Sequence, residues 1–146
     1  MKGKAILLVE DNQSDIDLTL RAFSKANIAN EVVVVQDGQE ALEYLFSTGP
    51  YADRKTEPRI AVILMDLKLP KVNGLEALQK IRSDSRTKRL PVVILTSSQE
   101  EEDIAASYDL GANSYIRKPV DFLQFSEAIV HVGMYWLALN EAPPQA

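Results

Sequence analysis

Acidic, hydroxyl and basic residues follow directly after short apolar runs of this sequence. Glu10 and Asp11 follow "AILLV", and Asp66 follows "AVILM". Thr96 follows "PVVIL", and Lys118 lies two residues after "SYI". Neighbouring carboxylates repel unless a hard cation such as Mg²⁺ holds them, and an aspartate can act as a nucleophile on phosphorus. A lysine and a hydroxyl stabilise a transferring phosphoryl group, so this set indicates phosphoryl transfer to a carboxylate.

The elements that must position these residues are short strands alternating with helices. The apolar runs lie at 5–9, 31–35, 61–65, 91–95 and 114–116. The first four do not alternate with polar residues, as expected for strands covered on both faces. Helical spacing is present in 13–27, 37–48, 73–83, 100–110 and 121–140. This order predicts an α/β fold with a parallel sheet, and ligands of such sheets bind beyond the carboxyl ends of the strands.

Each of these residues also has an ordinary structural interpretation. Asp66 could belong to a turn or cap a helix, and Asn12 or Ser14 could cap the first helix. Thr96 could cap the next helix, and Lys118 could be a surface lysine. Their coincidence at equivalent strand ends favours the chemical interpretation over four separate structural ones.

Composition excludes several other classes of function. The chain has 146 residues, which predicts one domain, and its net charge of −5 gives no basic surface for nucleic acid. It has no cysteine and one histidine, His131, which excludes disulfides, thiolate metal sites and histidine-rich sites. No glycine-rich phosphate loop follows the first strand. No segment is expected to reach membrane-spanning length, so we expect a cytoplasmic protein without a nucleic-acid or membrane partner.

Together these motifs resemble the receiver domain of two-component response regulators, over residues 4 to about 131. The matching motifs are the pair Glu10-Asp11, "DLKLPKVNG" with Asp66, Thr96, and "SYIRKP" with Lys118. The resemblance implies a flavodoxin-like, doubly wound fold with five parallel strands in the order 2-1-3-4-5 and five helices. The receiver domain is expected to span 1–140, followed by a flexible tail at 141–146 and no output domain.

The resemblance also implies a phosphoacceptor and a metal site. Asp66 would accept a phosphoryl group from a sensor histidine kinase. Glu10, Asp11, Asp66 and the backbone carbonyl of Lys68 would bind Mg²⁺. The protein would not be an enzyme acting on a separate substrate, because it would assist only its own phosphorylation and dephosphorylation.

Two further roles follow from the same resemblance. Thr96 and Lys118 would bind the phosphoryl oxygens. Thr96 would then shift towards the phosphate and Tyr115 would follow it inward. This movement would remodel the face formed by the fourth helix, the fifth strand and the fifth helix.

A narrower similarity concerns the stand-alone regulators that partner bacterial phytochromes. The long loop at 47–59 and the ending "YWLALN" resemble that group, which implies a bacteriophytochrome as the kinase. Two other classes of function are alternatives to this interpretation. One is a flavodoxin-like enzyme acting on a phosphorylated small molecule, and the other is a constitutive binding module that has lost phosphotransfer.

The last predicted helix, 121–140, carries two apolar stripes on a helical wheel. The first consists of Phe122, Phe125, Ile129, Val132, Trp136 and Leu139. The second consists of Leu123, Val130, Met134 and Leu137. A helix on a sheet needs one such stripe, so the second predicts a symmetric homodimer. The alternative is that the fourth helix covers it, or that its residues are exposed singly.

Overall fold

The computed structural model describes residues 3–55 and 58–144 as a sheet covered by helices. Five strands lie in the described ranges: β1 (Lys4–Val9), β2 (Glu31–Val35), β3 (Arg59–Met65), β4 (Val92–Thr96) and β5 (Ser114–Arg117). Their order is β2-β1-β3-β4-β5, and every pair is parallel. The helices between and after them are α1 (Gln13–Lys25), α2 (Gly38–Phe46), α3 (Gly74–Ser83), α4 (Glu101–Asp109) and α5 (Phe122–Met134). The predicted fold and strand order are therefore confirmed.

Alternation of side chains along the buried strands divides the core into two layers. Leu7 and Val9 of β1 face the layer that α2 and α3 cover. Ile6 and Leu8 of the same strand face the layer that α1 and α5 cover. Both faces of the central strands are thus buried, which explains their continuous apolar sequence.

Side-chain caps fix where most of the helices begin. Asn12 accepts a hydrogen bond from the backbone N–H of Asp15 at the start of α1, and Asp37 caps α2 in the same way. Asn73 caps α3 within a reciprocal capping box. Asp121 caps α5. Because these caps follow the strand ends, they set the first helical turns beside the carboxyl edge of the sheet.

The last helix differs from the predicted one. Its α-helical part ends at Met134, and the chain continues as a π-helical turn over Tyr135–Leu139. The wider turn changes the rotation per residue, so the wheel drawn for 121–140 does not hold beyond Met134. Leu137 is 1% exposed and lies in the core, whereas Leu139 is 75% exposed. The assignment of Leu137 to an exposed dimer stripe was wrong for this reason.

Two of the other three residues of the second stripe remain at the surface. Leu123 and Met134 are 62% and 40% exposed, and Val130 is partly buried against the core.

The stretch Phe122–Leu139, with mean hydropathy 1.2, is long and apolar enough by composition to cross a membrane. The expectation that no segment reaches this length was therefore wrong. Phe125 packs in the layer that α1 also covers, so one face of this helix lies against the sheet.

The described part of the predicted loop at 47–59 contains one turn of 3-10 helix, Gly49–Tyr51. Arg54 packs over the Tyr44 ring at 4.1 Å, and its Nε donates to the carbonyl of Tyr44. The tail residues 141–144 have no regular secondary structure. The carbonyl of Pro143 accepts a hydrogen bond from Arg59 at the start of β3.

Candidate functional site

The register of β1 against β3 places Glu10 beside Asp66. Val9 pairs with Met65 in the parallel ladder, so the next residue of each strand lies at the same edge. The backbone N–H of Asp66 donates to the carbonyl of Val9, which extends the ladder by one bond. Glu10 is 2% exposed and Asp66 8% exposed, which is uncommon for acidic side chains unless they are paired.

The ammonium group of Lys118 joins three carboxylates at this edge. Its Nζ lies 2.6 Å from Glu10 Oε1, 2.8 Å from Asp15 Oδ2 and 2.9 Å from Asp66 Oδ2. The backbone N–H of Lys118 donates to the carbonyl of Thr96, so β4 positions the lysine. An ammonium has three N–H donors, and these contacts use all of them.

The remaining oxygens of the two buried acids accept hydrogen bonds from the backbone. Glu10 Oε2 accepts from the N–H of Asn12 at 3.2 Å. Asp66 Oδ1 accepts from the N–H of Lys68 at 3.3 Å. Each buried carboxylate therefore has a fixed orientation, with one oxygen towards Lys118 and the other towards its own following loop.

Burial and charge act on the pKa values of this cluster in opposite directions. Burial raises the pKa of the Glu10 carboxyl above its ordinary value, and the hydrogen bond and charge of Lys118 limit that rise. Burial alone would lower the pKa of Lys118. Hydrogen bonds to Asp15, Glu10 and Asp66 outweigh that effect and raise it above the ordinary value. The lysine is therefore a fixed positive charge at neutral pH.

The donor set at this edge fits a divalent cation. Three carboxylates against one ammonium leave an excess of two negative charges around Asp66. Asp11 is exposed next to Glu10. Among the residues that the structure describes, no three acidic or histidine side chains are grouped to hold a metal ion. A Mg²⁺ site needs only one or two carboxylates with water and phosphate oxygens, so Glu10, Asp11 and Asp66 offer suitable ligands.

The loop after β3 requires glycine at position 74. The N–H of Gly74 donates to the carbonyl of Leu67 at 2.8 Å, which folds α3 back against the end of β3. A Cβ at position 74 would overlap the Asp66 carbonyl oxygen and lie 2.7 Å from Leu67 Cα. Lys71 in this loop has a φ of 66°, in the left-handed region. The stretch "DLKLPKVNG" therefore holds the backbone of Asp66 close to α3.

Hydrogen bonds connect Thr96 and Tyr115 to the loop between β4 and α4. Thr96 is buried, and its Oγ1 accepts from the N–H of Ser98 at 3.4 Å. The Tyr115 hydroxyl donates to the carbonyl of Ser98 at 3.0 Å. Burial raises the pKa of the Tyr115 hydroxyl, so it is neutral and can donate. Ser98 Oγ donates to Asp103 Oδ2 at 2.6 Å, which anchors the first turn of α4.

Asp15 was missed in the sequence analysis. The structure brings together Glu10, Asp66 and Lys118 as expected, and Asp15 completes the contacts of the ammonium. The sequence contained part of the information needed to predict the position of Asp15. With Asn12 as the cap, Asp15 falls in the first turn of α1, at the same edge of the sheet as the strand ends.

Comparison with known proteins decides the family. The profile described as response regulator receiver domain matches residues 6–130. The chain belongs to the response regulator receiver family. Receiver domains act in two-component signalling, phosphorylation is inherent to the family, and they bind a divalent metal ion. The predicted family is confirmed, and it is not an enzyme family in the ordinary sense.

Three relatives illustrate the similarity of this chain to other response regulators, and two of them are named as phytochrome regulators. The response regulator Rcp1 of Synechocystis sp. is 37% identical over 140 residues, covering 96% of this chain and 93% of Rcp1. Its Mn²⁺-bound crystal structure has a TM-score of 0.88 and covers 97% of this chain and 99% of that one. The phosphorylated cyanobacterial phytochrome response regulator RcpA is 42% identical, with a TM-score of 0.89 and coverage of 97% and 99%. The bacteriophytochrome response regulator RtBRR is 55% identical, with a TM-score of 0.75 and coverage of 97% and 84%.

Proposed function

We propose that this receiver domain accepts a phosphoryl group on Asp66 from a sensor histidine kinase. The observation that carries the proposal is the Lys118 ammonium, 2.9 Å from Asp66 Oδ2 and 2.6 Å from Glu10 Oε1. A carboxylate at a strand end, oriented by its neighbours and beside a fixed positive charge, suits attack on phosphorus. The alternative of an enzyme acting on a phosphorylated small molecule has no comparable support.

In the proposed transfer, an oxygen of Asp66 forms a bond to phosphorus. The bond from phosphorus to the histidine nitrogen of the kinase breaks, and its electron pair returns to the imidazole ring. Lys118 and Thr96 donate hydrogen bonds to the phosphoryl oxygens. The protein assists only its own phosphorylation and dephosphorylation.

Mg²⁺ is the proposed cofactor. Glu10, Asp11, Asp66 and the backbone carbonyl of Lys68 would hold it. When bound, it neutralises charge on the transferring oxygens. The excess negative charge around Asp66 supports this proposal, as does the Mn²⁺-bound structure of the relative Rcp1.

Phosphorylation is proposed to switch the face formed by α4, β5 and α5. Thr96 would move towards the phosphoryl group, and Tyr115 would follow it. The hydrogen bond from Tyr115 to the Ser98 carbonyl supports the proposal, because it couples β5 to the loop that carries α4. A movement of Thr96 would therefore be transmitted to both β5 and α4.

The kinase is proposed to be a bacteriophytochrome in the cytoplasm. Support comes from the named relatives, since RtBRR is a bacteriophytochrome response regulator and RcpA a cyanobacterial phytochrome one. In the proposed organisation the receiver domain spans residues 1–140.

A homodimer through α5 is the second proposed association. Leu123 and Met134 are exposed on this helix, with Val130 between them, and a two-fold axis would bury each set against its copy. The double variant Leu123→Glu with Met134→Glu should sediment as a folded monomer. Tyr108→Glu, which charges an exposed aromatic residue of α4, should leave the dimer intact. A wild-type chain that stays monomeric at micromolar concentrations, phosphorylated or not, contradicts this interface.

The phosphotransfer proposal is tested with a purified bacteriophytochrome kinase carrying a labelled phosphoryl group. The wild-type receiver should acquire the label in Mg²⁺ and lose that ability in a chelator. Asp66→Asn should acquire none. Asp84→Asn serves as the matched control, because Asp84 pairs with Arg86 at the surface. Label on Asp66→Asn at the wild-type level would disprove the assignment of the acceptor.

A further inference from the structure

Asp15 lies in the site on a different element from the proposed acceptor and metal ligands. It is in the first turn of α1, and its side chain is 25% exposed. Its N–H donates to Asn12 Oδ1 at 3.0 Å, and its carbonyl accepts from Thr19 Oγ1 at 2.7 Å. The helix cap thus fixes the backbone from which the Asp15 carboxylate contacts Lys118.

The three acceptors of the Lys118 ammonium have different fates in the proposed reaction. Asp66 would become an acyl phosphate and lose its carboxylate charge. Glu10 and Asp15 would remain carboxylates throughout. Two of the three N–H donors can therefore keep their partners, and only the third must change from Asp66 to a phosphoryl oxygen.

We infer that Asp15 is a positioning residue for Lys118. Together with Glu10 it holds two donors of the ammonium, so that the third is directed at Asp66 before transfer and at the phosphoryl group after it. The inference rests on the proposed function. It adds to that function a residue, Asp15, that fixes the position of the Lys118 ammonium.

Asp15 also adds a negative charge near the phosphoryl group, which by itself disfavours phosphorylation. Two substitutions separate this charge from the hydrogen bond. Asp15→Asn removes the charge and keeps an acceptor oxygen, whereas Asp15→Ala removes both. Since the two variants have the same charge, the difference between them measures the positioning effect.

The first measurement is Mg²⁺-dependent binding of beryllofluoride, a mimic of the phosphoryl group, to the full chain. Asp15→Ala should bind it about tenfold more weakly than Asp15→Asn, as expected for loss of one hydrogen bond to a charged group. Asp17→Ala is the control on the same helix, because Asp17 is exposed and bonds only Gln13 among the described contacts. It should bind like the wild type. Equal or tighter binding by Asp15→Ala than by Asp15→Asn overturns the inference.

The second measurement uses the unphosphorylated protein and does not depend on phosphotransfer. An ammonium with three fixed acceptors exchanges its protons slowly and gives an NMR signal, which Lys118→Arg identifies by its loss. The signal should persist in Asp15→Asn and disappear in Asp15→Ala. A signal unchanged in Asp15→Ala overturns the inference. If the wild type binds no beryllofluoride, the proposed function fails, and the ammonium signal still decides whether Asp15 fixes Lys118.

Discussion

Replacing Lys118 by methionine should destabilise the protein through the carboxylates that it leaves behind. Methionine keeps much of the length and apolar stem of the side chain but removes the ammonium. Glu10 and Asp66, 2% and 8% exposed, would then be buried close together without their counter-charge. Removing one partner of a buried ion pair costs more than the pair contributes, because the remaining charge is uncompensated.

The expected loss is about 3 kcal/mol at neutral pH, at the lower end of the range for breaking a buried ion pair. The lower end applies because Asp15, the third partner, is 25% exposed and can regain water. For a domain of this size the loss corresponds to a fall of roughly 9 °C in melting temperature. Lys71→Met is the control, since Lys71 forms a surface pair with Asp37 at 3.7 Å and should cost less than about 0.5 kcal/mol.

The loss should also depend on pH. Burial already raises the pKa of Glu10 in the folded state, and loss of the Lys118 charge would raise it further. A carboxyl group with a raised folded pKa destabilises the protein at higher pH and does so less as it becomes protonated. The deficit of Lys118→Met should therefore be largest at neutral pH and shrink as the pH falls towards the unfolded value of about 4.3. In the wild type the lysine contribution is lost only at alkaline pH, above its ordinary pKa of about 10.4.

Thermal and urea unfolding of wild type, Lys118→Met and Lys71→Met at neutral and mildly acidic pH measure these effects. Mg²⁺ should raise the melting temperature of Lys118→Met more than that of the wild type, because the freed carboxylates bind a divalent cation more tightly. A Lys118→Met protein as stable as Lys71→Met at neutral pH would refute the reasoning.

Three further substitutions test the surroundings of the site. Gly74→Ala should displace the backbone at Asp66, lower the free energy of unfolding by about 2 kcal/mol and slow phosphorylation by acetyl phosphate. A variant with wild-type stability and phosphorylation rate would show that the loop can relax. Arg82→Met removes four hydrogen bonds donated around the start of β4, so backbone amides there should exchange with deuterium faster than in the wild type. Unchanged exchange rates would argue against a stabilising role of Arg82. Tyr115→Phe loses one hydrogen bond to the Ser98 carbonyl, so its free energy of unfolding in urea should fall by about 1 kcal/mol while phosphorylation continues. A loss of phosphorylation would contradict the placement of Tyr115 outside the transfer step.

The fold was predictable because its central strands are buried on both faces. A short, continuous apolar run such as "AVILM" is typical of a strand buried on both faces. The observed β3 extends this run by only two residues at its start. The parallel order then follows from the helical spacing between the runs. Asp66 and Glu10 were found by the same reasoning, since their positions depend only on where strands end.

The features that were missed depend on packing between distant elements. Asp15 contacts Lys118 because the first turn of α1 and the lysine after β5 meet at the same edge of the sheet, and sequence spacing alone does not predict that contact. The π-helical turn after Met134 is a second case, because apolar residues at 135–139 suit either kind of helix. Leu137 is buried within this turn, which removes one residue from the predicted dimer face.

The most direct test of the central claim is to identify the residue that carries the phosphoryl group. The wild-type chain is incubated with acetyl phosphate and Mg²⁺, treated with hydroxylamine to convert an acyl phosphate to a hydroxamate, and mapped by peptide mass spectrometry. Modification of Asp66 alone is the predicted result. Modification of Glu10, Asp11 or Asp15 in place of Asp66, or no modification under conditions that label another receiver domain, would contradict the account.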